Sequence, residues 1–180
     1  QRQYPAQPGL RMSVNVSNRQ FWNARLLDDV RASLRAAELT APALIIEVTE
    51  GVIVSDVRAA RTRLGALHDL GVQLHIDDFG TGYSSLEALH HLTIDAFKID
   101  RSFIQSLSGG DNSVELIGSL IRLGNALGLS VLAEGVETEE QRSFLQDLGC
   151  ATGQGFLFMP AVTGDRVEDM LDRPLLERSE

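Results

Sequence analysis

The sequence has little that would stabilise a protein outside the cell or anchor it in a membrane. Its 180 residues include one cysteine, Cys150, so an intrachain disulfide is excluded. A single cysteine is typical of a reducing compartment. No apolar run approaches the roughly 20 residues of a membrane span, and residues 1–5 do not begin a signal peptide. These absences predict a cytoplasmic domain, and they are compatible with a membrane anchor elsewhere in a longer parent protein.

Positive charge and clustered histidines are also scarce. The 16 Lys and Arg residues are outnumbered by 25 Asp and Glu, which gives a net charge of −9. An acidic surface repels a phosphate backbone, so nucleic acid polymers are not expected partners, although a small anion held through metal ions remains compatible. The four histidines, at positions 68, 75, 90 and 91, lack the spacing of a zinc site.

Short apolar runs alternate with amphipathic runs along the whole chain. The apolar runs predict strands at Leu10–Ser17, Leu44–Thr49, Val72–Asp77, Ala96–Ile99, Val131–Ala133 and Gly155–Phe158. The amphipathic runs predict helices at Phe21–Ala37, Asp56–Leu70, Ser85–His90, Val114–Leu127, Glu139–Leu148 and Asp165–Leu171. Six such βα units predict a mostly parallel sheet, which is either open or most of a TIM-type barrel.

A polar residue lies late in, at the end of or next to each predicted strand. These residues are Asn15, Glu47, Asp77, Asp78, Lys98, Glu134 and Gln154. In a TIM-type barrel the catalytic groups lie at the carboxyl ends of the strands, where the side chains meet at one mouth. A single polar residue at a strand end is often only a cap, but six strands with the same feature predict a functional site.

The residue types favour hard divalent cations. Asp77 and Asp78 place like charges side by side, which disfavours ionising both unless a cation is bound. Taken alone, the pair is equally compatible with a helix cap. Carboxylate and amide oxygens are ligands for Mg²⁺ or Mn²⁺. Two such ions activate water at a phosphoryl centre. The same groups would also serve an enolase-like proton abstraction with Lys98 as the base, and the residues alone leave both reactions open.

Six sequence blocks in order resemble the EAL domain, a family of bacterial cyclic-di-GMP phosphodiesterases. The blocks are Asn15–Ser17, Glu47–Glu50, Asp77–Leu86, Lys98–Asp100, Ala133–Glu137 and Gln154–Phe156 with Pro160. The resemblance runs from about Arg11 to Pro160. It implies a TIM-type (β/α)8 barrel in a signal-transduction protein that hydrolyses cyclic-di-GMP to linear pGpG with two Mg²⁺ or Mn²⁺ ions.

The resemblance also implies residue roles. Asn15, Glu47 and Asp77 would bind the first metal. Asp77 would bridge to the second metal, which Asp78 and Glu134 would also bind.

Further roles concern residues around the metals. Lys98 would position or activate the attacking water, with Glu134 also counted among the catalytic groups. Gln154 would help to hold the region of the nucleophile. Glu50 would tether the loop that follows Asp78.

The chain departs from the family pattern at its start. The Glu-Ala-Leu motif that names the family is absent, because none of the fourteen residues before Asn15 is acidic. A typical barrel has about 250 residues. We therefore expect residues 1–180 to be a partial domain that lacks the first two strands, with about six βα units.

The resemblance finally implies partners and one alternative function. Expected partners are cyclic-di-GMP, a second copy in a homodimer through the barrel, and sensor or GGDEF domains upstream in the parent protein. The alternative is a receptor that binds cyclic-di-GMP without cleaving it, and the missing motif would distinguish the receptor from the enzyme.

Overall fold

The computed structural model describes residues 9–82, 89, 91–109 and 111–172. Its strands are β1 (Met12–Asn15), β2 (Leu44–Thr49), β3 (Gln73–Phe79), β4 (Ala96–Ile99), β5 (Ser130–Glu134) and β6 (Thr152–Gln154). Its α-helices are Asn18–Phe21, Leu26–Ala37, Glu50–Ser55, Val57–His68, Arg101–Gln105, Asp111–Leu127, Glu139–Asp147 and Gly164–Asp172. Short 3₁₀ turns lie at Ala41–Ala43 and Ser106–Gly109. The helix predicted at Ser85–His90 lies outside the described residues, apart from Leu89.

The described strands form one parallel sheet in the order β1-β2-β3-β4-β5-β6, so each strand pairs with the next in the chain. Because all strands run the same way, their carboxyl ends lie along one edge. The sheet with its helices matches an incomplete TIM-type barrel, which confirms the predicted fold class. No described helix is both long enough and apolar enough to cross a membrane.

Two predicted strands, β2 and β4, have the observed bounds, and β6 was predicted wrongly. The sixth strand ends at Gln154, whereas Gly155–Phe158 forms a turn in which the N–H groups of Phe158 and Met159 donate to Gly155 O at 3.1 Å. The chain turns there because Gly155 packs against the backbone of Val136, where a β-carbon would lie 2.1 Å from Val136 O. The apolar run with its aromatic residues predicts a buried strand, but it forms this turn instead.

One predicted helix is divided in the structure, and another is shortened. The run Phe21–Ala37 becomes Asn18–Phe21 and Leu26–Ala37, and Ser17 caps the first of these in a reciprocal capping box with Gln20. The run Asp56–Leu70 is shortened to Val57–His68, and Asp56 caps the start of this helix, because its Oδ1 accepts from the N–H of Ala59 at 3.0 Å. Capping chemistry, which hydrophobic periodicity does not register, sets these boundaries.

The hydrophobic core lies between the sheet and the helices that cover its outer face. Leu74, Ile76, Phe97 and Ile99 on β3 and β4 are at most 1% exposed and pack against the helices. These residues alternate along the strands with Lys98 and Asp77, which therefore face the opposite side, as period-2 alternation requires. The apolar residues anchor the sheet, and the polar ones form the inner face near the carboxyl ends.

Strand β3 carries an irregularity at its end. The register with β4 shifts between Ile76 and Phe79, and Asp78 has a left-handed φ of +54°. In a regular strand two consecutive side chains point to opposite faces, whereas a bulge with a left-handed residue re-aims one of them. The irregularity therefore allows adjacent aspartates to face the same mouth.

Candidate functional site

Lys98 is the centre of the polar cluster at the carboxyl ends of the strands. It is 3% exposed and lies on β4, where its Nζ donates to Glu47 Oε2 on β2 at 2.8 Å. Nζ also contacts Asp77 Oδ1 on β3 at 3.1 Å and Glu134 Oε1 on β5. Carboxylates from three other strands, β2, β3 and β5, thus converge on one ammonium group.

Three of the carboxylates form a tighter acidic group. Asp77, Asp78 and Glu134 each offer an oxygen, and these three oxygens lie within 4.8 Å of one another. Gln154 Nε2 donates to Glu134 Oε1 at 2.6 Å, which is the same oxygen that Lys98 contacts. Both donors thus hold Glu134 from one side, and the group is positioned by strands β3, β5 and β6.

Asp78 reaches this group through the irregularity in β3. Its left-handed backbone turns the second carboxylate toward the first, and its own N–H donates to Asp77 Oδ1 at 3.1 Å. Aspartate adopts a positive φ more readily than most residues, because its short side chain can satisfy nearby backbone groups. The tandem pair is therefore a local backbone feature as well as a charge pair.

The charges in the cluster perturb one another. Burial raises the pKa of Glu134, and the neighbouring charges of Asp77 and Glu47 act in the same direction, which outweighs the opposing contact with Lys98. Burial and the charge of Asp77 likewise raise the pKa of Asp78. One lysine therefore does not neutralise the carboxylates around it.

For the pKa of Lys98, the effect of the neighbouring groups outweighs the effect of burial. Burial alone would lower its pKa, but hydrogen bonds to Glu134 and Glu47 and the charge of Asp77 outweigh burial and raise the pKa above its ordinary value. The side chain is therefore a protonated ammonium at neutral pH. In this state it donates hydrogen bonds and does not accept a proton.

Glu50 lies just outside the cluster and binds the backbone that follows Asp78. It is 2% exposed, and its Oε2 accepts from the N–H groups of Gly80 at 2.9 Å and Gly82 at 3.2 Å. Glu50 begins the helix that follows β2, so this pair of bonds connects the ends of β2 and β3. Its expected contact with the loop is present, whereas its effect on activity stays a prediction.

Asn15 lies at the end of the edge strand β1. It is exposed and sits opposite Glu47 in the strand register. Glu47 is paired with Lys98 and is not in the acidic group of three. The structure therefore brings Asp77, Asp78, Glu134, Lys98 and Gln154 together, with Glu47 adjoining and Asn15 at the margin.

The residues present fit a hard divalent cation. The carboxylates of Glu47, Asp77 and Glu134 contact a single ammonium, and Asp78 joins two of them in the acidic group. Four carboxylates and one ammonium leave about three negative charges, which two divalent cations would offset. The oxygen-only donor set is typical of Mg²⁺, Mn²⁺ or Ca²⁺ and unlike a zinc site.

Two charged residues near Asp78 were not assigned a role from the sequence. The charges of Asp100 and Arg101 act on Asp78 in opposite directions. Both immediately follow β4, and Asp100 caps the next helix by accepting from the N–H of Ser102 at 3.0 Å. The sequence feature that could have identified them is their position just after the strand that carries Lys98.

Comparison with known proteins identifies relatives of this chain. Its sequence is 44% identical over 153 residues to the bifunctional diguanylate cyclase/cyclic di-GMP phosphodiesterase MucR of Pseudomonas aeruginosa, a match that covers 83% of this chain and 22% of MucR. It is 41% identical over 162 residues to the cyclic di-GMP phosphodiesterase NbdA of the same organism, covering 90% of this chain and 21% of NbdA. The chain thus spans about a fifth of the length of these relatives.

Solved structures give the same assignment. The phosphodiesterase PaMucR in complex with c-di-GMP superposes with a TM-score of 0.85 at 41% identity, over 87% of this chain and 64% of that one. A manganese and c-di-GMP complex of BlrP1 from Klebsiella pneumoniae gives a TM-score of 0.77 at 33% identity, over 86% of this chain and 39% of that one. The sequence model of the EAL domain matches residues 1–161, and the chain therefore belongs to the EAL domain family.

Proposed function

We propose that this chain carries the catalytic centre of a metal-dependent cyclic-di-GMP phosphodiesterase, which hydrolyses one phosphodiester bond to give linear pGpG. The observation that carries the proposal is the convergence of Lys98 and three carboxylates at the carboxyl ends of β2 to β5. Hydrolysis of a phosphodiester needs a positioned water, charge stabilisation at phosphorus and exclusion of competing charges. The cluster contains groups suited to each requirement.

Two divalent cations, Mg²⁺ or Mn²⁺, are the proposed cofactors. Asn15, Glu47 and Asp77 would hold one ion, and Asp77, Asp78 and Glu134 would hold the other. When bound, such ions polarise the phosphoryl oxygens and lower the pKa of bound water. The neighbouring structure of BlrP1 contains manganese together with cyclic-di-GMP, which supports this class of cation.

The remaining groups have defined tasks in the proposal. Lys98 orients the attacking water and offsets developing negative charge, because its raised pKa keeps it protonated. Gln154 holds Glu134 through the 2.6 Å hydrogen bond from Nε2. Glu50 holds the backbone of the loop after Asp78 and so maintains the position of the second aspartate.

The enolase-like alternative is disfavoured by the family of the chain. The sequence model of the EAL domain matches residues 1–161, and the relatives MucR and NbdA are named as cyclic di-GMP phosphodiesterases.

Further aspects of the proposal concern the protein as a whole. We place residues 1–180 in the cytoplasm as a partial EAL domain. We also propose a homodimer formed through the barrel and sensor or GGDEF domains in the parent protein. MucR, whose name describes two activities and whose length greatly exceeds the matched part, is consistent with a multidomain parent.

The test is turnover of cyclic-di-GMP by the full-length natural protein with Mg²⁺ or Mn²⁺, with pGpG followed by chromatography. Asp77→Asn removes one charge from the cluster and should abolish product. Asp69→Asn is the matched control, because Asp69 is exposed at the end of an outer helix and should leave turnover unchanged. Tight binding without product would identify a receptor, and neither binding nor product would refute both functions.

A further inference from the structure

Arg101 is a cation at the rim of the site that the proposed mechanism does not use. It lies two residues after the end of β4 and three residues after Lys98, so it emerges at the same edge of the sheet as the cluster. Its side chain is exposed, unlike that of Lys98. The two cations therefore occupy different depths, one among the carboxylates and one at the entrance.

The backbone of Arg101 is held closely against the residue that follows Glu134. A β-carbon on Gly135 would lie 2.6 Å from Arg101 Cβ and 3.4 Å from its Cα, and Gly135 has a φ of +68°. A residue without a side chain is needed there both for the contact and for the backbone conformation. The backbone of Arg101 is thus fixed beside the carboxyl end of β5, which carries Glu134.

The guanidinium has no carboxylate partner at salt-bridge distance within the described part of the chain, whereas Lys98 has three. It still lies in the field of the cluster, because burial raises the pKa of Asp78 and the charge of Arg101 opposes that rise. An arginine that acts only as a counter-ion is normally paired with its carboxylate. An unpaired arginine beside an anion-processing site is available to an incoming anion.

We propose that Arg101 is a substrate-binding residue that contacts the phosphodiester group of cyclic-di-GMP that is not being cleaved. This inference rests on the proposed function of the cluster. The substrate has two phosphodiester groups, and the one that reacts must lie at the acidic group of Asp77, Asp78 and Glu134. The second must then lie farther out, where the exposed guanidinium can form charge-assisted hydrogen bonds with its oxygens.

A substrate contact and an electrostatic effect on Asp78 predict different measurements. Loss of a contact to the uncleaved phosphodiester weakens substrate binding and leaves the chemical step intact, so KM rises and kcat is retained. Loss of a charge that tunes Asp78 would instead change the concentration of Mn²⁺ needed for activity. The two roles are therefore separable in one set of variants.

The experiment compares Arg101→Ala, Arg101→Lys and the control Arg31→Ala in the full-length natural protein. Arg31 is exposed on the helix Leu26–Ala37, where it pairs with Asp28 at 3.4 Å. We expect Arg101→Ala to raise KM for cyclic-di-GMP about tenfold at saturating Mn²⁺, as for the loss of one charge-assisted hydrogen bond. Arg101→Lys should show a smaller rise, because it keeps the charge without the planar fork. Arg31→Ala should match the wild type.

The dissociation constant of cyclic-di-GMP, measured by calorimetry with Ca²⁺ in place of Mn²⁺, makes the result independent of turnover. A wild-type protein that binds but yields no pGpG refutes the phosphodiesterase function, and about tenfold weaker binding by Arg101→Ala still supports the subsite. An unchanged KM and dissociation constant overturn the proposal. A changed Mn²⁺ requirement with an unchanged KM also overturns it, as does a loss of kcat as large as the rise in KM. A wild-type protein that neither binds nor cleaves cyclic-di-GMP overturns both inferences.

Discussion

Replacing Lys98 with methionine should destabilise the metal-free protein in a way that depends on pH. Lys98 is 3% exposed and contacts the carboxylates of Glu47, Asp77 and Glu134. Methionine has a similar volume and no charge, so the substitution removes the cation and leaves the three acidic groups in place. Breaking a buried ion pair by removing one partner is strongly destabilising, because the remaining charge is uncompensated.

The magnitude follows from the proton that the carboxylates would take up. Without the ammonium, at least one of them becomes protonated in the folded state, and Glu134 already has a raised pKa. Protonating a carboxyl group with a reference pKa of 4.5 at pH 7 costs about 3 kcal/mol, at about 1.36 kcal/mol per pH unit. At pH 5 the same step costs less than about 1 kcal/mol.

The sign of the pH dependence is fixed by linkage. A carboxyl group whose folded-state pKa is raised stabilises the fold at low pH, and this stabilisation is lost as the pH rises through the folded-state pKa. The lysine in the wild-type protein stays protonated throughout this range, since its own pKa is raised. The difference in stability between wild type and Lys98→Met should therefore widen from pH 5 to pH 7.

The assay is urea denaturation in the presence of EDTA at both pH values. Ile99→Ala is the matched control, because Ile99 is the next residue on β4, is 0% exposed and faces the apolar side of the sheet. Its loss of about 2–5 kcal/mol comes from a cavity and should be the same at pH 5 and pH 7. A penalty for Lys98→Met that does not change with pH, or that stays below about 1 kcal/mol at pH 7, would refute the charge argument.

Three further predictions concern the acidic group and the loop beside it. Asp78→Asn should raise the melting temperature of the metal-free protein by about 2 °C at pH 7 and reduce its gain in stability on acidification. The reason is that the raised pKa of Asp78 reflects burial and repulsion by Asp77, and an unchanged melting temperature would contradict this. Mn²⁺ should raise the melting temperature of the wild type and not that of Asp77→Asn, and an equal rise in both would place the metal elsewhere. Glu50→Ala should accelerate amide hydrogen exchange at Gly80 and Gly82 about tenfold, with a smaller effect for Glu50→Gln, and protection that survives the alanine variant would show that these bonds are dispensable.

Much of the architecture could be predicted from the sequence because it depends on local pattern. Strands β2 and β4 were predicted with their observed bounds, since continuous apolar runs between helices are typical of parallel strands covered on a face by helices. The convergence of Lys98, Asp77 and Glu134 could also be predicted, because parallel strands place their carboxyl ends at one edge. These inferences need only period, order and direction.

Other features could not be predicted because they depend on single backbone contacts. The aromatic residues after Gln154 resemble a strand, yet the close packing of Gly155 on Val136 turns the chain there. The left-handed φ of Asp78 and the shifted register of β3 are likewise set by tertiary pairing. The sequence indicated that two adjacent aspartates matter, but not how consecutive residues face the same side.

The irregularity in β3 connects the fold to the proposed chemistry. A regular strand would direct Asp77 into the mouth and Asp78 into the apolar core, where an unpaired carboxylate is costly. The left-handed turn at Asp78 avoids that cost, and it is followed at once by backbone N–H groups that Glu50 binds from the end of β2. The geometry of the second carboxylate therefore depends on Glu50, which acts through the backbone N–H groups of Gly80 and Gly82. Variants of Glu50 should consequently alter activity through the position of Asp78, with the charge of the cluster unchanged.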